Sequence, residues 1–523
     1  MNLVTLLEER AQQNKEKVFL LFKDQAVSYG EFNQRANQVA NSLYQLGIRK
    51  GDHVAAVMPN HADCLYLFFG VAKLGAVNVF IDGQYDVGLL KHAIQICDSK
   101  AIVVDKAVYE RYQTIRPGLA KIEIEIAYPS KDDFPDFGDA VSFPDLLNGY
   151  KSPPPPTQIK PGDPVQFIFT SGTTGLPKPC ILSHNARIAI SQNINDNLKV
   201  TAEDRFYACL PNYHGNVYLG INGALLAGGS MALGERFSGS RYWEEVRKYQ
   251  PTILVLHITP MNILLKQPQK DTDSDNPARA AIFIVGTGAR EFLERFQIKT
   301  ALACYGATES GGLCTMTAYE LKDAPKIQPA FCGRERDDFE VKIFNDEDEE
   351  LGSGQIGEIV VRPRKPFVMY SGYYNMPDKT VEPLRNLWFH TGDEGVKDEE
   401  GFLYFSGRKE ESLRVKGNFV PIDHVEGLLR SYPKVQECAI IGVPSDIGEQ
   451  DIKAYIQPNK GARITPEEII DYCSAKLSGF MIPRYIEFVD SLPISSSAMK
   501  VQKSKLKERG IGNAWDRSIG RWL

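Results

Sequence analysis

The chain has 523 residues, of which 43% are apolar and 24% are charged, and its formal net charge is −6. This length allows a large buried core but exceeds the usual size of one compact domain, so we expect two or more domains. The acidic balance and the lack of basic runs argue against a nucleic-acid surface or a basic membrane patch, and favour a small-molecule partner.

The N-terminal stretch MNLVTLLEERAQQNKEKV predicts an amphipathic helix and lacks the layout of a signal peptide. No apolar run approaches the roughly 20 residues of a membrane span. The nine cysteines are scattered and form no CxxC pair, which is typical of a reducing compartment. We therefore expect a cytoplasmic protein, and the sequence is compatible with a monomer or a homodimer.

Short apolar runs then alternate with helical patterns. A helical pattern covers 64–77, and strands are predicted at 53–59, 101–104, 165–169, 252–258 and 280–286. Strands separated by helices predict an α/β fold with layered, largely parallel sheets. The proline tract 153–156 predicts an extended surface connection.

The pattern changes near residue 333. FEVKIFN, the acidic turn NDEDEELGSG and GEIVVRP predict an antiparallel β-region, with the acidic run as a solvated turn. After Gly407-Arg408 the sequence predicts a small α+β unit with a helix at 422–431, strands at 438–443, 452–457 and 485–489, and a helix that starts at Thr465. We predict an N-terminal domain of residues 1–408 with a β-rich subdomain, and a mobile α+β C-terminal domain of residues 409–523.

The stretch 169-FTSGTTGLPKP-179 carries glycines, hydroxyls and one lysine directly after an apolar strand. Glycines allow close approach, hydroxyls and amides donate hydrogen bonds, and the ammonium adds a charge, so the pattern predicts a polyphosphate ligand. Its spacing differs from the GxxxxGK[ST] phosphate loop. For this stretch alone, an ordinary glycine-rich turn is the alternative.

Further motifs follow in order: YGATES (305–310), GEIVVRP (357–363), GYYN (372–375), FHTGD (389–393), the segment 402–426 and LPISSSAMKVQK (492–503). Together with FTSGTTGLPK they resemble the adenylate-forming superfamily of acyl-CoA synthetases, peptide adenylation domains and luciferases. The resemblance covers nearly the whole chain. The closing lysine motif and the C-terminal AWDR are similar to the carnitine/crotonobetaine-CoA ligase branch.

The resemblance implies a site for Mg²⁺ and ATP, in which cations and donors offset the repulsion between two anionic reactants. The residues it implies for the β- and γ-phosphates are Thr170, Ser171, Gly172, Thr173, Thr174 and Lys178. Glu309 is implied as the Mg²⁺ ligand, since this ion prefers oxygen, and Thr308 as a donor to the α-phosphate. The residues implied for adenine and ribose are Gly286, Thr287, Gly288, Ala289, Tyr305, Gly306, Asp393 and Arg408.

His214, in LPNYHGNVYLG, matches the position beside the family's acyl pocket, and a purely structural histidine is the alternative. Residues 213–216 lack the carboxylate that pairs with an α-amino group in peptide adenylation domains, which argues against an α-amino acid substrate.

The resemblance also implies a second half-reaction with coenzyme A. Lys500 would first serve adenylation, and the C-terminal domain would then rotate about Glu410 so that Lys416 and Gly417 approach the thiol of CoA. The lysine motif is one residue longer than usual, so Lys503 is the alternative to Lys500. Pro179 replaces the usual glycine after the loop lysine, which removes a donor.

We therefore predict an ATP-dependent acyl-CoA synthetase that uses ATP, Mg²⁺ and CoA. A related alternative is an enzyme that loads an acyl group onto a carrier protein. An alternative of another class is a non-catalytic nucleotide-binding protein, although the presence of Lys178, Glu309, Asp393, Arg408 and Lys500 weighs against it.

Overall fold

The computed structural model describes residues 1–170, 176–284, 288–326, 330–409, 413–415, 418–420, 422–445, 450–494 and 501–523. Its helices are α1 (Leu3–Gln13), α2 (Tyr29–Gln45), α3 (Ala62–Lys73), α4 (Val87–Ile96), α5 (Tyr109–Ile115), α6 (Phe143–Leu146), α7 (His184–Leu198), α8 (Asn216–Ala227), α9 (Tyr242–Tyr249), α10 (Ile258–Leu265), α11 (Ala289–Phe296), α12 (Pro377–Val381), α13 (Ile422–Arg430), α14 (Pro466–Ser474) and α15 (Lys503–Lys507). Within the described residues, no helix is both long and apolar enough to cross a bilayer.

The strands up to residue 335 are β1 (Val18–Phe22), β2 (Gln25–Ser28), β3 (His53–Val57), β4 (Val77–Phe80), β5 (Ala101–Asp105), β6 (Ile124–Tyr128), β7 (Val141–Ser142), β8 (Pro164–Thr170), β9 (Lys178–Ser183), β10 (Arg205–Ala208), β11 (Ser230–Leu233), β12 (Ile253–His257), β13 (Ala280–Ile284), β14 (Thr300–Tyr305), β15 (Thr315–Glu320) and β16 (Phe331–Glu335). The later strands are β17 (Phe339–Phe344), β18 (Gly357–Pro363), β19 (Leu384–Arg385), β20 (Trp388–Lys397), β21 (Leu403–Arg408), β22 (Leu413–Val415), β23 (Asn418–Val420), β24 (Val435–Pro444), β25 (Gln450–Pro458), β26 (Tyr485–Phe488), β27 (Trp515–Asp516) and β28 (Arg521–Trp522).

The chain folds into two compact units. One is built from Met1–Gly172, Leu176–Val341 and Val361–Phe389, and the other mainly from Lys342–Val360 and His390–Leu523. The predicted α/β class with a small C-terminal domain is confirmed. The predicted boundary between residues 408 and 409 stays a prediction.

The first unit contains two large sheets. One has the strand order β7-β6-β5-β3-β4-β8-β9, in which only the pair β8-β9 is antiparallel. In the other, the strands up to residue 335 run in the order β16-β15-β14-β13-β12-β10-β11-β1-β2, with parallel pairing from β14 to β1. The predicted parallel layers are therefore present.

Successive side chains of a strand point to opposite faces of its sheet, and this alternation explains the layers. In β3, Val54 and Ala56 join the core that contains α2, α3, α7 and α8, whereas Ala55 and Val57 join the core that contains α4 and α5. The strand is buried on both faces, which explains why its sequence is a continuous apolar run. The stretch 1–18 predicts an amphipathic helix, but helix α1 ends at Gln13 and Val18 already belongs to β1.

The second unit contains the sheet β24-β25-β26-β27-β28 and the pair β22-β23. Helix α14 begins as its sequence predicts, since Thr465 is the N-cap, Pro466 follows it, and Thr465 and Glu468 form a capping box. Helix α13 and strands β24, β25 and β26 coincide with the predicted elements.

Candidate active site

The glycine-rich loop connects two antiparallel strands. β8 ends at Thr170 and β9 begins at Lys178, and these two residues face each other in the register of the pair. Thr170 Oγ1 is buried, and no described residue forms a hydrogen bond with it. Lys178 therefore stands at the exit of the loop; the other predicted phosphate-binding residues lie outside the described residues, namely Ser171, Gly172, Thr173 and Thr174.

Glu309 lies in a short 3₁₀ turn, Thr308–Ser310, after β14. It is only 9% exposed, and the hydroxyl of Tyr373 donates a short hydrogen bond to its Oε1. Gly311 closes the turn with φ +73°, and a Cβ there would lie 2.3 Å from the carbonyl oxygen of Val368. Glycine is required at this position because both the backbone angle and the space exclude a side chain.

Lys178 contacts the ring of the same tyrosine. Its Nζ lies 4.4 Å from the centroid of the Tyr373 ring, which is a cation–π contact. Burial raises the pKa of Tyr373, and the nearby charge of Glu309 raises it further, so the hydroxyl stays protonated and acts as a donor. The fold thus brings together the predicted phosphate lysine and the predicted metal ligand.

Several predicted residues follow the carboxyl ends of neighbouring parallel strands. β10, β12, β13 and β14 lie side by side, and His257, Ile284 and Cys304 are aligned across the last three. The loops beyond these ends carry His214, Gly288 and the YGATES motif. In open α/β sheets, ligands bind beyond the carboxyl ends of strands, so these loops form a candidate binding edge.

The described residues among those predicted for adenine sit at this edge. Tyr305 ends β14 and is only 3% exposed. Gly306 packs so closely that a Cβ would lie 2.3 Å from the carbonyl oxygen of Gly312. Gly288 has φ +102° and caps α11, which starts at Ala289; Gly286 and Thr287 lie outside the described residues.

His214 lies among other polar rings. Its ring centroid is 4.9 Å from that of Tyr213 and 6.5 Å from that of His257. The Tyr213 hydroxyl interacts with Asp82, whose pKa is raised by burial even though this hydrogen bond favours the charged form. Sequence reasoning missed His257 and Asp82, and the position of His257 at the end of an apolar strand was the available signal.

Arg187 of α7 is a further missed residue. It is 1% exposed, its Nη2 donates to the carbonyl oxygen of Gly215 at 2.9 Å, and its guanidinium lies 5.1 Å from the centroid of the Tyr218 ring. Burial lowers the pKa of Arg187 to about 10, so it remains a cation near neutral pH. It holds the turn directly after His214, and nothing in the local sequence signals this contact.

The second unit brings together the two residues predicted for ribose. Asp393 and Arg408 are opposite each other in the pair β20-β21, and Arg408 Nε lies 2.8 Å from Asp393 Oδ1. The side chain of Asp393 is 6% exposed and that of Arg408 is 43% exposed. Their adjacency is thus a consequence of strand register.

Lys409 precedes the predicted pivot and is held by carboxylates. Its Nζ lies 2.9 Å from Asp346 and 3.1 Å from Glu358, and His390 Nδ1 also lies 3.1 Å from Glu358. Burial by itself would raise the pKa of Glu358, but His390 and Lys409 outweigh it and lower the pKa. The acidic turn is largely exposed, as predicted, yet Asp346 also holds Lys409, the residue before the predicted pivot.

The remaining predicted residues lie outside the described residues, namely Glu410, Lys416, Gly417 and Lys500. Lys503, the alternative to Lys500, is described. Its Nζ lies 2.8 Å from Oε1 of Glu426.

A magnesium ion fits Glu309. Among the described residues no group of three or more His, Cys, Asp or Glu side chains is arranged to hold a metal. Mg²⁺ in nucleotide sites usually takes one or two carboxylates and completes its shell with phosphates and water. One buried, oriented carboxylate that shares Tyr373 with Lys178, the predicted phosphate lysine, agrees with that pattern.

Comparison with known proteins decides the family. Residues 7–374 match the model of the AMP-binding enzyme family, and residues 424–498 match the AMP-binding enzyme C-terminal domain. The chain belongs to the AMP-binding enzyme family. The prediction of an adenylate-forming, AMP-forming acid–thiol ligase is confirmed.

Relatives within this AMP-binding family match over nearly their full length. Crotonobetaine/carnitine–CoA ligase of Proteus mirabilis is 29% identical over 95% of this chain and 97% of its own length. The enzyme of the same name from Salmonella arizonae is 30% identical over 94% of this chain and 96% of its own length. Anthranilate CoA ligase AuaEII, solved with anthranoyl-AMP, is 25% identical with a TM-score of 0.87 and covers 97% of each chain.

The fold of this AMP-binding enzyme is also that of more distant ligases. O-succinylbenzoate coenzyme A synthetase of Bacillus subtilis, solved with ATP and a magnesium ion, has a TM-score of 0.82 at 21% identity, and the match covers 96% of this chain and 99% of that one.

Proposed function

We propose that this protein is an ATP-dependent acyl-CoA synthetase that works in two half-reactions. A carboxylate oxygen of the acid attacks the α-phosphorus of ATP, the bond from that phosphorus to the bridging oxygen breaks, and pyrophosphate leaves. The CoA sulfur then attacks the acyl carbon, loses its proton, and displaces AMP. A cytoplasmic location is part of this proposal.

The pair of Lys178 and Glu309, held by Tyr373, is the observation that carries the proposal. Lys178 offers its charge to the β- and γ-phosphates, since among the described residues no carboxylate lies within ion-pair distance of it. Thr170, Ser171, Gly172, Thr173 and Thr174 would complete the phosphate cradle. A magnesium ion bound at Glu309 would offset phosphate charge.

The other site residues are assigned to binding. Tyr305, Gly306 and the segment 286–289 would hold adenine, Thr308 the α-phosphate, and Asp393 with Arg408 the ribose. His214 would border the acid. Lys500 would serve adenylation, and Lys416 with Gly417 the approach of CoA.

The acid is proposed to lack an α-amino group. The relatives are named for crotonobetaine, carnitine and anthranilate, and none of these is an α-amino acid. Residues 213–216, Tyr-His-Gly-Asn, contain no carboxylate to pair with an α-ammonium group. Small quaternary-ammonium acids and aromatic acids are therefore the first classes to test.

A pyrophosphate-release assay tests the function. The panel contains crotonobetaine, carnitine, anthranilate, short fatty acids and common α-amino acids, each with and without CoA. We expect acid-dependent release, CoA-dependent formation of AMP and acyl-CoA, and poor turnover of the amino acids. The matched control is Glu309→Gln, which keeps an oxygen that accepts from Tyr373 but removes the charge, and should lose about 100-fold or more in rate.

The outcomes separate the alternatives. Release without transfer to CoA, followed by transfer to a carrier protein, would replace the acceptor in this proposal. ATP binding without release for any acid would support the non-catalytic alternative. Efficient release that depends on an α-amino group would contradict the proposed acid class.

A further inference from the structure

Tyr373, in the GYYN motif, touches both charged groups of the candidate phosphate site. Its hydroxyl donates to Oε1 of Glu309, and its ring lies under the ammonium of Lys178 at 4.4 Å. We infer that Tyr373 is a positioning residue that orients the Glu309 carboxylate for the metal and the Lys178 ammonium for the nucleotide phosphates. This inference rests on the proposed function.

The backbone of Tyr373 is fixed from one side by α12. Its N–H donates to Thr380 Oγ1 at 2.9 Å, and Thr380 Oγ1 donates to the carbonyl oxygen of Met376 at 2.9 Å. Gly372 precedes it with φ +118°, and a Cβ there would lie 2.8 Å from Thr380 Cγ2. The glycine therefore allows the tight approach that aims the phenol ring.

On the other side, the same segment pairs with β9, the strand that carries Lys178. The N–H of Tyr374 donates to the carbonyl oxygen of Pro179 at 2.9 Å, and the N–H of Ile181 donates to that of Gly372 at 3.0 Å. A bridge also joins Cys180 to Tyr373. Lys178 and the tyrosine thus belong to one hydrogen-bonded unit, and a shift of either backbone would move both.

The pairing of β9 with β8 is compatible with Pro179. Along a strand successive N–H groups alternate in direction, so the missing N–H of Pro179 would have pointed to the same side as that of Ile181, away from β8. Phe169 of β8 pairs with Pro179 without needing that donor. The carbonyl oxygen of Pro179 remains available, and Tyr374 uses it.

The electrostatics explain why a tyrosine suits this place. A buried carboxylate without a donor would be costly, and the phenol supplies one hydrogen bond while leaving the negative charge for a cation. A ring face attracts an ammonium without neutralising it. Glu309 and Lys178 can therefore both contact one tyrosine without forming an ion pair with each other.

Tyr370 offers a matched control. Its ring centroid is 5.3 Å from that of Tyr373, and its hydroxyl is buried but has no hydrogen-bond partner among the described residues. Tyr370→Phe and Tyr373→Phe remove the same atom from two neighbouring rings. Only Tyr373→Phe removes a contact with Glu309.

The test measures ATP binding by calorimetry with EDTA and with saturating Mg²⁺. The ratio of the dissociation constant in EDTA to that in Mg²⁺ is the Mg²⁺-dependent gain in affinity. We expect Tyr373→Phe to reduce the Mg²⁺-dependent gain at least tenfold, the range typical of groups that orient a metal ligand, while ATP affinity in EDTA changes less than twofold. Tyr373→Leu should in addition weaken ATP binding in EDTA severalfold, because Lys178 loses the ring. Tyr370→Phe should match the wild type in both conditions.

A purely structural role predicts another pattern. Equal effects of Tyr373→Phe and Tyr370→Phe, or a lower Tm with an unchanged Mg²⁺-dependent gain, would overturn the inference. If the wild type releases pyrophosphate with an acid but Tyr373→Phe keeps the full gain, the inference fails and the proposed function stands. If the wild type releases none and Mg²⁺ brings no gain, both fail.

Discussion

At the scale of single residues, the environment of Lys503 separates the two lysines of the closing motif. The side chain of Lys503 is 13% exposed and pairs with Glu426, which is 4% exposed. Glu426 also binds Arg430 at 2.9 Å and accepts from the N–H of Ile440 at 2.8 Å. Because the Lys503 ammonium is bound in this buried network, we assign it to the stability of the second unit. Lys500 therefore remains our candidate for adenylation.

Lys503→Met should therefore destabilise the protein. Removing one partner of a buried ion pair leaves the other charge poorly compensated, and we expect a loss of about 3 kcal/mol in the free energy of unfolding. Denaturant unfolding followed by circular dichroism measures it. Lys505→Met, on the same helix but exposed, is the control and should change stability by less than about 0.5 kcal/mol.

Lys503→Met should also change how the free energy of unfolding depends on pH. Burial by itself would raise the pKa of Glu426, but the charges of Lys503 and Arg430 outweigh it and hold the pKa below its ordinary value. A lowered folded pKa stabilises the protein above the unfolded pKa of about 4.3, and this contribution is lost as the pH falls through the folded pKa. In Lys503→Met the free energy of unfolding should begin to fall at a higher pH than in the wild type. An unchanged dependence of stability on pH would contradict this account.

At the scale of elements, the start of α14 is determined by residues that are close together in the sequence. Glu468 N–H donates to Thr465 Oγ1 at 3.3 Å, and Thr465 N–H donates to Glu468 Oε2 at 3.0 Å. These two bonds satisfy backbone donors at the first turn, and each partner is only three residues from the other. The helix start was therefore predictable from four consecutive residues.

Thr465→Ala should cost about 1 kcal/mol, because it removes the acceptor at the N-cap. Hydrogen exchange of the first-turn amides of α14, together with the free energy of unfolding, measures this. Thr465→Ser keeps the hydroxyl and should remain within about 0.5 kcal/mol of the wild type. Equal protection of those amides in the alanine variant would show that the capping box contributes nothing.

At the scale of the whole molecule, the proposed alternation makes the two half-reactions separable. If Lys500 stabilises charge only during adenylation, Lys500→Ala should lose about 3 kcal/mol of transition-state stabilisation there, roughly 100-fold in rate. The thioester step should survive nearly unchanged, because the domain would then present another face to the site. The measurements are the rate with acid and ATP, and CoA-dependent consumption of synthetic acyl-AMP.

Two results would count against this prediction. Equal loss in both assays would argue against alternation or against a role confined to adenylation. Full activity in both would transfer the role to another residue, and the stability data on Lys503→Met would then show whether Lys503 is available for it.

The sequence by itself determined the class of fold, the order of most elements and the family. Apolar runs such as 101–104 predict buried strands because they must be covered on both faces, and Thr465 predicts a cap because its partner is nearby in the chain. The motifs identify Lys178 and Glu309 as candidates because phosphate and metal chemistry needs those groups. These inferences depend on interactions within a few residues, or on chemistry that is independent of the fold.

Only the tertiary structure decided which distant groups meet. Tyr373 reaches Glu309 and Lys178 because the segment after Gly372 pairs with β9, and Arg187 reaches Gly215 because α7 packs beside α8. Asp393 faces Arg408 through strand register, which a local pattern does not encode. Side-chain contacts of this kind arise when separate elements are packed together, so no periodicity or motif spacing in the chain specifies them in advance.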